Sequence, residues 1–344
     1  MICLKKIHSI ELSFLLFYIL QAFLFNIFLP KSISYTSYNF ILYLVISIFL
    51  GIGVIMLFSY LFNLSNRNIF YNIKNKFIAF ILTLIPFIFA IFSLINISSY
   101  INYIYLKDID KLFIIISFML VVFCFIKNDI YSFFRCSTII FYFYIFLEII
   151  TFILLLFYVD FDNILPINYD LNNIMDYSYL FICFLIIPIL FLLVVPKASI
   201  KNNSSISRKI FITYLIISLI IGIKSIISIS ILGYNSMSIY NYPDVVIYKN
   251  INLFSFVERF EWLLCFNSIT NMFFIISLSL FYVKEGFNYI LPIKKNISYL
   301  YPLIICIGVI LLSYFLVIDF SYIVSLLVLF FLIHLVFGLF KLIK

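Results

Sequence analysis

The chain has 344 residues, of which 66% are hydrophobic and 10% are charged, with a mean hydropathy of +1.24 and a formal net charge of +8. Soluble globular domains carry about 25% charged residues, so this composition excludes a soluble protein and predicts one embedded in lipid. The high hydrophobicity also excludes an intrinsically disordered chain.

Ten apolar runs approach or exceed the roughly 20 residues that a helix needs to cross a bilayer. They cover residues 10–29, 39–62, 77–104, 111–127, 136–159, 177–196, 209–232, 258–283, 299–317 and 321–340. The third run is long enough to tilt, and the fourth is short. The sequence therefore predicts an all-α integral membrane protein with ten transmembrane helices, and a single polytopic domain over residues 1–344.

Basic residues are distributed unevenly among the connecting segments. The first run follows MICLKKIHSIE without a small-residue cleavage site, so we expect a retained membrane helix rather than a signal peptide. With the N-terminus in the cytoplasm, sixteen of the 22 Lys and Arg residues lie on the cytoplasmic side and five lie outside. The positive-inside rule then predicts that both termini are cytoplasmic. The basic residues of the cytoplasmic face account for the net charge of +8, and this charge therefore gives no indication of nucleic-acid binding.

The sequence offers little material for a catalytic or metal site. The longest outer loops, 160–176 and 233–257, leave little room for catalytic machinery outside the membrane. The six cysteines form no CxxC pair, and only two histidines occur. A thiolate or histidine metal centre is therefore not predicted, and we expect no cofactor.

Two ionisable residues lie near the middle of predicted helices. Glu148 is in the fifth run and Lys224 is in the seventh. A charge at a helix centre costs at least about 2.5–3.5 kcal/mol, so such residues usually face the bundle interior and find a partner. We hypothesise that the two side chains pair. The alternatives are that each is neutralised separately, or that Lys224 extends outward to the interface.

Several uncharged residues inside the predicted helices are candidate ligand contacts. Asn267 and Asn271 are four residues apart and share a helix face. The same arrangement would also serve hydrogen bonding between helices, without a ligand. The first run contributes Gln21 and Asn26. The sixth contributes Cys183 and Pro188, and a proline frees a backbone carbonyl and kinks the helix. Broken helices bind substrates in transporters, although a kink can also serve shape alone.

A charged cluster precedes the eighth run, after a turn that contains Pro243. Glu258, Arg259 and Glu261 lie within four positions, and the only tryptophan, Trp262, follows. Acids favour the N-terminal end of a helix dipole, and tryptophan favours the membrane–water boundary. We expect this cluster at the outer mouth of the eighth helix, either as an interfacial anchor or as part of a gate.

Three stretches between about residues 130 and 290 carry a family resemblance. DFDNILPINYD (160–170) resembles an Asn-Leu-x-Pro-Ile element, and ILGYNSMSIYNYP (231–243) resembles a Leu-Gly…Tyr-Pro stretch. VERFEWL (257–263) resembles a Phe-x-Glu-Arg-x-Glu motif at the start of a long eighth helix. In this order, they resemble the spore germination permeases. These are the B-type membrane subunits of germinant receptors, within the amino acid–polyamine–organocation transporter superfamily.

The resemblance implies two inverted five-helix repeats, at about 10–159 and 177–340, each with a first helix that is discontinuous near its middle. Pro188 is well placed for the second break. Family members usually carry glycine in the first helix, whereas no glycine precedes Gly51 here, and an unwound segment would be more hindered without one. This departure implies a germinant other than a standard small amino acid, or a subunit whose sensing has drifted.

Three functions from different classes follow. The resemblance implies a receptor subunit in the spore inner membrane that senses a small molecule, such as an amino acid, beside A-type and C-type receptor subunits and membrane lipid. A secondary transporter for amino acids, with Glu148 or Lys224 in ion coupling, is the alternative. A membrane-embedded enzyme is the third, and no acyl-transfer motif or cluster of catalytic groups favours it.

Overall fold

In the computed structural model, most of the chain is described. The described residues are 6–36, 39–64, 69–73, 75–107, 109–164, 174–201, 206–249, 261–292, 300–316 and 320–342. Their helices are α1 (Ser9–Gln21), α2 (Leu29–Thr36), α3 (Phe40–Leu64), α4 (Lys76–Ile104), α5 (Lys111–Lys127), α6 (Ile130–Leu156), α7 (Ile174–Phe181), α8 (Ile206–Ile239), α9 (Pro243–Lys249), α10 (Glu261–Ile290), α11 (Leu300–Phe315) and α12 (Phe320–Leu342).

Each of the ten predicted runs contains helix, and seven helical segments are long and apolar enough to cross a membrane. These are Ser9–Ile33, Phe40–Asn63, Lys76–Ile104, Ile130–Leu156, Ile174–Val194, Ile206–Ile239 and Trp262–Ile290. Helix α5, helix α11 and the apolar stretch Ser321–Val336 of α12 are shorter. The all-α membrane fold is therefore confirmed, whereas the count of ten spans stays a prediction.

The spans divide into central and peripheral ones. The most apolar stretches of Ser9–Ile33 and Ile174–Val194 are each 83% buried within the protein, whereas those of Phe40–Asn63 and Ile130–Leu156 are only 33% and 28% buried. Since the peripheral helices expose large apolar side chains such as Phe49, they suit a surface solvated by lipid. The first and sixth runs form the centre of the bundle.

The two central spans depart from regular α-helical hydrogen bonding. After α1, a π-helical turn covers Leu24–Phe28, and the Phe28 N–H donates to the Phe23 carbonyl at 2.9 Å. After α7, a π-helical turn covers Ile182–Ile186, and a 3₁₀-helix continues over Ile187–Val194. Irregular backbone is tolerated at membrane depth only where protein shields it, which explains why both irregularities lie in the most buried spans.

The irregularity in the first span does not require glycine. Phe23, just before the π-helical turn, has φ −105° and ψ 7°, a conformation open to any L-residue. The first span therefore forms a widened helical turn without glycine. In the sixth span, Pro188 lies at the start of the 3₁₀-helix, where its missing N–H costs little.

Contacts between distant segments place several helix ends on one face of the bundle. Strand β1 (Ile7–His8) pairs in parallel with β2 (Ile200–Lys201), and the Asn63 amide donates to Ser207 Oγ at 2.5 Å. A third contact joins α10 to the end of α5, where Lys284 Nζ donates to the Ile126 carbonyl at 2.7 Å. These ends are the ones that the distribution of basic residues assigns to the cytoplasm.

Helix α10 packs closely on α4 through Gly286. A Cβ at Gly286 would collide with the Cγ2 atom of Thr83, which is fully buried, and would lie 2.9 Å from Cζ of Phe70. A β-branched side chain has few alternative rotamers, so the helices would have to separate. Gly53 in α3, by contrast, has nothing within 4 Å of such a Cβ.

We expect Gly286→Ala to lower the melting temperature of the purified protein by several degrees, because overpacking typically costs about 1–3 kcal/mol. Gly53→Ala is the matched control and should leave the melting temperature unchanged or slightly raised, because alanine favours a helix more than glycine does. Equal melting temperatures for the two variants, measured in the same detergent, would contradict this account of the α4–α10 contact.

Candidate functional site

A polar cavity lies among the central helices. Its volume is about 40 Å³. It is lined by Gln21, Ala22, Leu24, Phe25, Asn26, Glu148, Thr151, Phe152, Leu155, Lys224, Ile227, Tyr248, Leu264, Asn267, Ser268 and Asn271. The lining combines apolar walls with a small set of amide, hydroxyl and charged groups, as is typical of small-molecule sites. Six of the residues singled out from the sequence meet here.

An ion pair forms one wall of the cavity. Lys224 Nζ of α8 lies 2.6 Å from Glu148 Oε2 of α6, and the two side chains are only 13% and 10% exposed. The hypothesised pairing is the arrangement in the structure. The pair also lines an apolar groove between α6 and α8, together with residues such as Ile149, which is 53% exposed. It therefore separates the polar cavity from the lipid-facing surface.

A directed chain of hydrogen bonds runs from the ion pair across the cavity. Lys224 Nζ donates to Gln21 Oε1 at 3.0 Å, and the Tyr144 hydroxyl donates to the same oxygen at 3.1 Å. Asn271 Nδ2 in turn donates to the Tyr144 oxygen at 3.0 Å. Because an ammonium can only donate, Lys224 fixes the orientation of the Gln21 amide and hence of each later group.

Several buried polar atoms of the cavity lining have no hydrogen-bond partner among the described residues. The free donors are Gln21 Nε2 and Asn26 Nδ2, and the free acceptors are Asn26 Oδ1, Asn267 Oδ1 and Asn271 Oδ1. A buried polar group without a hydrogen bond costs about 1–3 kcal/mol. Such a concentration in one cavity indicates a site that water or a ligand fills.

Local structure explains how these groups converge. The π-helical turn of the first span contributes Phe25 and Asn26, and the Phe25 ring lies 5.9 Å from Lys224 Nζ. Helix α10 contributes Asn267 and Asn271 from one face, since residues four apart are neighbours on a helix. The widened turn thus brings Phe25 and Asn26 into the same cavity as the polar face of α10 and the ion pair.

The two candidates of the sixth span do not reach the cavity. Cys183 is fully buried in the π-helical turn, and Pro188 is buried at the start of the 3₁₀-helix. Neither belongs to the cavity lining. In the structure, both lie buried in the irregular part of a central span.

The outer-mouth cluster is described only in part. Glu258 and Arg259 lie outside the described residues, and Glu261 begins α10. Trp262 is 53% exposed, as suits a side chain at an interface. Pro243 begins the short helix α9 and is buried.

Helix α9 carries a buried acid that sequence reasoning did not single out. Asp244 is fully buried, and its Oδ2 accepts a hydrogen bond from the Tyr100 hydroxyl at 3.0 Å. Ser268, which lines the cavity, lies within 3.5 Å of the same hydroxyl. Tyr248, one turn along α9, lines the cavity itself. Through these contacts, α9 and α4 are connected to the cavity wall.

Sequence reasoning also missed Tyr144 and Tyr248. Tyr144 lies four residues before Glu148 on the same helix, so i, i+4 spacing from an intramembrane charge was a usable signal. Nothing in the sequence distinguished Tyr248 from the 27 tyrosines of the chain.

Seven helical segments that are apolar enough to cross a membrane, around a cavity with a buried ion pair, define a polytopic helical membrane protein with a candidate small-molecule site. Residues 6–322 match the spore permease family model, described as spore germination protein, and the chain belongs to this family. No individual curated protein matches the chain. The resemblance read from three motifs is therefore confirmed, and the protein is a germination-related membrane permease.

Asp244 makes the stability of the protein depend on pH. Burial raises the pKa of this carboxyl group to about 7, although hydrogen bonds from Tyr100 and the Val245 N–H act to lower it. The ordinary value is about 3.9, so between pH 4 and 7 the folded state binds more protons than the unfolded state. Stability from this group is therefore highest at low pH and falls as the pH rises through this window.

We expect Asp244→Asn to melt several degrees above the wild type at pH 8 and by a smaller margin at pH 5, because the amide cannot ionise and the wild-type penalty grows as the pH rises towards 7. The exposed Asp162 offers a control, and Asp162→Asn should keep the pH dependence of the wild type. Melting curves between pH 5 and 8 test this, and an unaltered pH slope in Asp244→Asn would contradict it.

Proposed function

We propose that the protein is the integral membrane subunit of a spore nutrient-germinant receptor, and that its central cavity binds the germinant. The observation that carries the proposal is the set of buried amide atoms around one cavity that have no hydrogen-bond partner among the described residues, in a chain of the spore permease family. Gln21, Asn26, Asn267 and Asn271 are the proposed ligand contacts. Glu148 and Lys224 hold the wall in place.

The proposed mechanism is a shift between two conformations that differ in affinity for the ligand. Asn26 lies in the π-helical turn of the first span, and such turns often mark functional sites. A ligand bonded to Asn26 stabilises the widened turn relative to a regular helix. Tyr248 of α9 is a second contact with the same ligand, so that ligand binding also acts on α9 at the outer surface.

The finer architecture is part of the proposal. We infer ten transmembrane helices, in inverted repeats at about 10–159 and 177–340, with both termini in the cytoplasm. Irregular backbone in the first and sixth spans supports this, since these would be the first helices of the two repeats. A- and C-type receptor subunits in the spore inner membrane are the proposed partners that receive the conformational change.

Secondary transport of an amino acid is the second candidate. The Glu148–Lys224 pair in the cavity wall favours it, because intramembrane ionisable residues often serve ion or proton coupling. A receptor needs no net movement of solute, whereas a transporter must accumulate substrate in sealed proteoliposomes. Uptake driven by an ion gradient would favour this candidate.

We expect spores that carry Asn271→Leu to lose most of their germination response to a nutrient mixture, because the variant removes one cavity acceptor and the bond to Tyr144. The fall in optical density of the spore suspension measures the response. Asn96→Leu is the matched control, since among the described residues the Asn96 amide donates to the Phe92 carbonyl of its own helix α4 and is not part of the cavity lining. Its spores should respond normally.

Both variants must be present in the spore membrane in wild-type amounts, as an immunoblot of the isolated membranes would establish. Normal germination of Asn271→Leu spores, with no other receptor to supply the response, would contradict the proposal.

A further inference from the structure

We infer that the ligand of the central cavity is a small, uncharged molecule that carries both hydrogen-bond donors and acceptors, such as a polyol or a hydroxy-amide. The inference rests on the proposed function of the cavity and narrows its ligand to one chemical class. Three properties of the cavity lead to it, namely its charge, its hydrogen-bonding pattern and its size.

Charge is the first property. Among the described residues that line the cavity, Glu148 and Lys224 are the only ones that carry a formal charge, and they neutralise each other at 2.6 Å. A cation would need Glu148 and an anion would need Lys224, so either would leave the other group buried and uncompensated. Breaking a buried pair in this way is strongly unfavourable. The described part of the lining therefore offers no spare charge to a ligand.

A zwitterion, such as an amino acid, meets a related obstacle. Its ammonium and carboxylate could in principle replace the two protein charges, but they would have to enter between atoms that are already in contact. Lys224 is also bonded to Gln21, so its displacement would disrupt the chain through Tyr144 to Asn271. Left outside the pair, the charged groups of a zwitterion would face only neutral amides after losing their hydration.

The pattern of free groups suits an uncharged ligand. Two amide nitrogens and three amide oxygens of the lining have no hydrogen-bond partner among the described residues, and the direction set by Lys224 distinguishes nitrogen from oxygen for Gln21 and Asn271. A hydroxyl or carboxamide group both donates and accepts, so one ligand can satisfy both kinds of free group. An ammonium only donates, and a carboxylate only accepts.

Size sets the last limit. The cavity volume of about 40 Å³ is roughly three times the space that a single water needs. A ligand that replaces on the order of three or four waters has about half a dozen non-hydrogen atoms. Larger sugars would require the helices to move apart.

A set of probes with one skeleton and different charges tests the inference. L-Alanine is a zwitterion, L-lactate an anion, L-alaninamide a cation and L-lactamide uncharged, and all four have a methyl-bearing central carbon with two polar substituents. Each is titrated against the full-length protein in lipid nanodiscs at pH 7, where L-alaninamide is mostly charged. The rise in melting temperature gives the apparent Kd.

We expect L-lactamide to bind at least about tenfold more tightly than each charged probe. Asn271→Leu should weaken its binding by at least about fivefold, whereas Asn96→Leu should leave it unchanged. Tighter binding of L-alanine than of L-lactamide overturns the inference, as does equal binding of all four probes, no binding of any, or full binding of L-lactamide to Asn271→Leu.

These outcomes are separate from the test of the proposed function. Spores that carry Asn271→Leu and germinate normally contradict the receptor role whatever the protein binds. If those spores fail to germinate and L-alanine is the preferred probe, the receptor role stands and only the ligand class is wrong.

Discussion

The ion pair between Lys224 and Glu148 is the interaction on which the site depends. It lies within two apolar spans, where an unpaired charge is costly, and it connects α8 to α6. The ammonium also holds Gln21 of the first span, and through Tyr144 it orients Asn271 of α10. One buried contact thus determines how four spans face each other and which amide atoms remain free. It also separates the cavity from the lipid-facing groove.

Burial and backbone irregularity occur together for a physical reason. The first and sixth spans have the same high burial, 83% in their most apolar stretches, and both contain π-helical turns. Surrounding helices keep lipid away from the irregular backbone of these two spans. A peripheral helix such as α6 is not shielded in this way. Because the first of these turns contributes Asn26 to the cavity, the same shielding that permits the irregularity also encloses the binding groups.

Sequence reasoning predicted the parts of the site that follow from a single helix. Glu148 and Lys224 stood out because charges in apolar runs are expensive, and Asn267 and Asn271 because their spacing aligns them. What it missed depends on contacts between distant segments, such as Tyr144 with Gln21, 123 residues apart. A lack of glycine argued against an irregular first span, yet the chain accommodates a π-helical turn with ordinary backbone angles. Short helix α9 and its buried Asp244 gave no periodic signal.

A double-mutant cycle on the ion pair tests the central claim most directly. Unfolding of the wild type, Lys224→Met, Glu148→Gln and the double variant is measured in one detergent. Removal of one partner from a buried pair typically costs about 3–5 kcal/mol, whereas replacement of both costs far less. We predict that each single variant melts well below the wild type, and that the double variant is more stable than the sum of the two losses implies. Strictly additive losses would show that the two charges are independent, and would contradict the account.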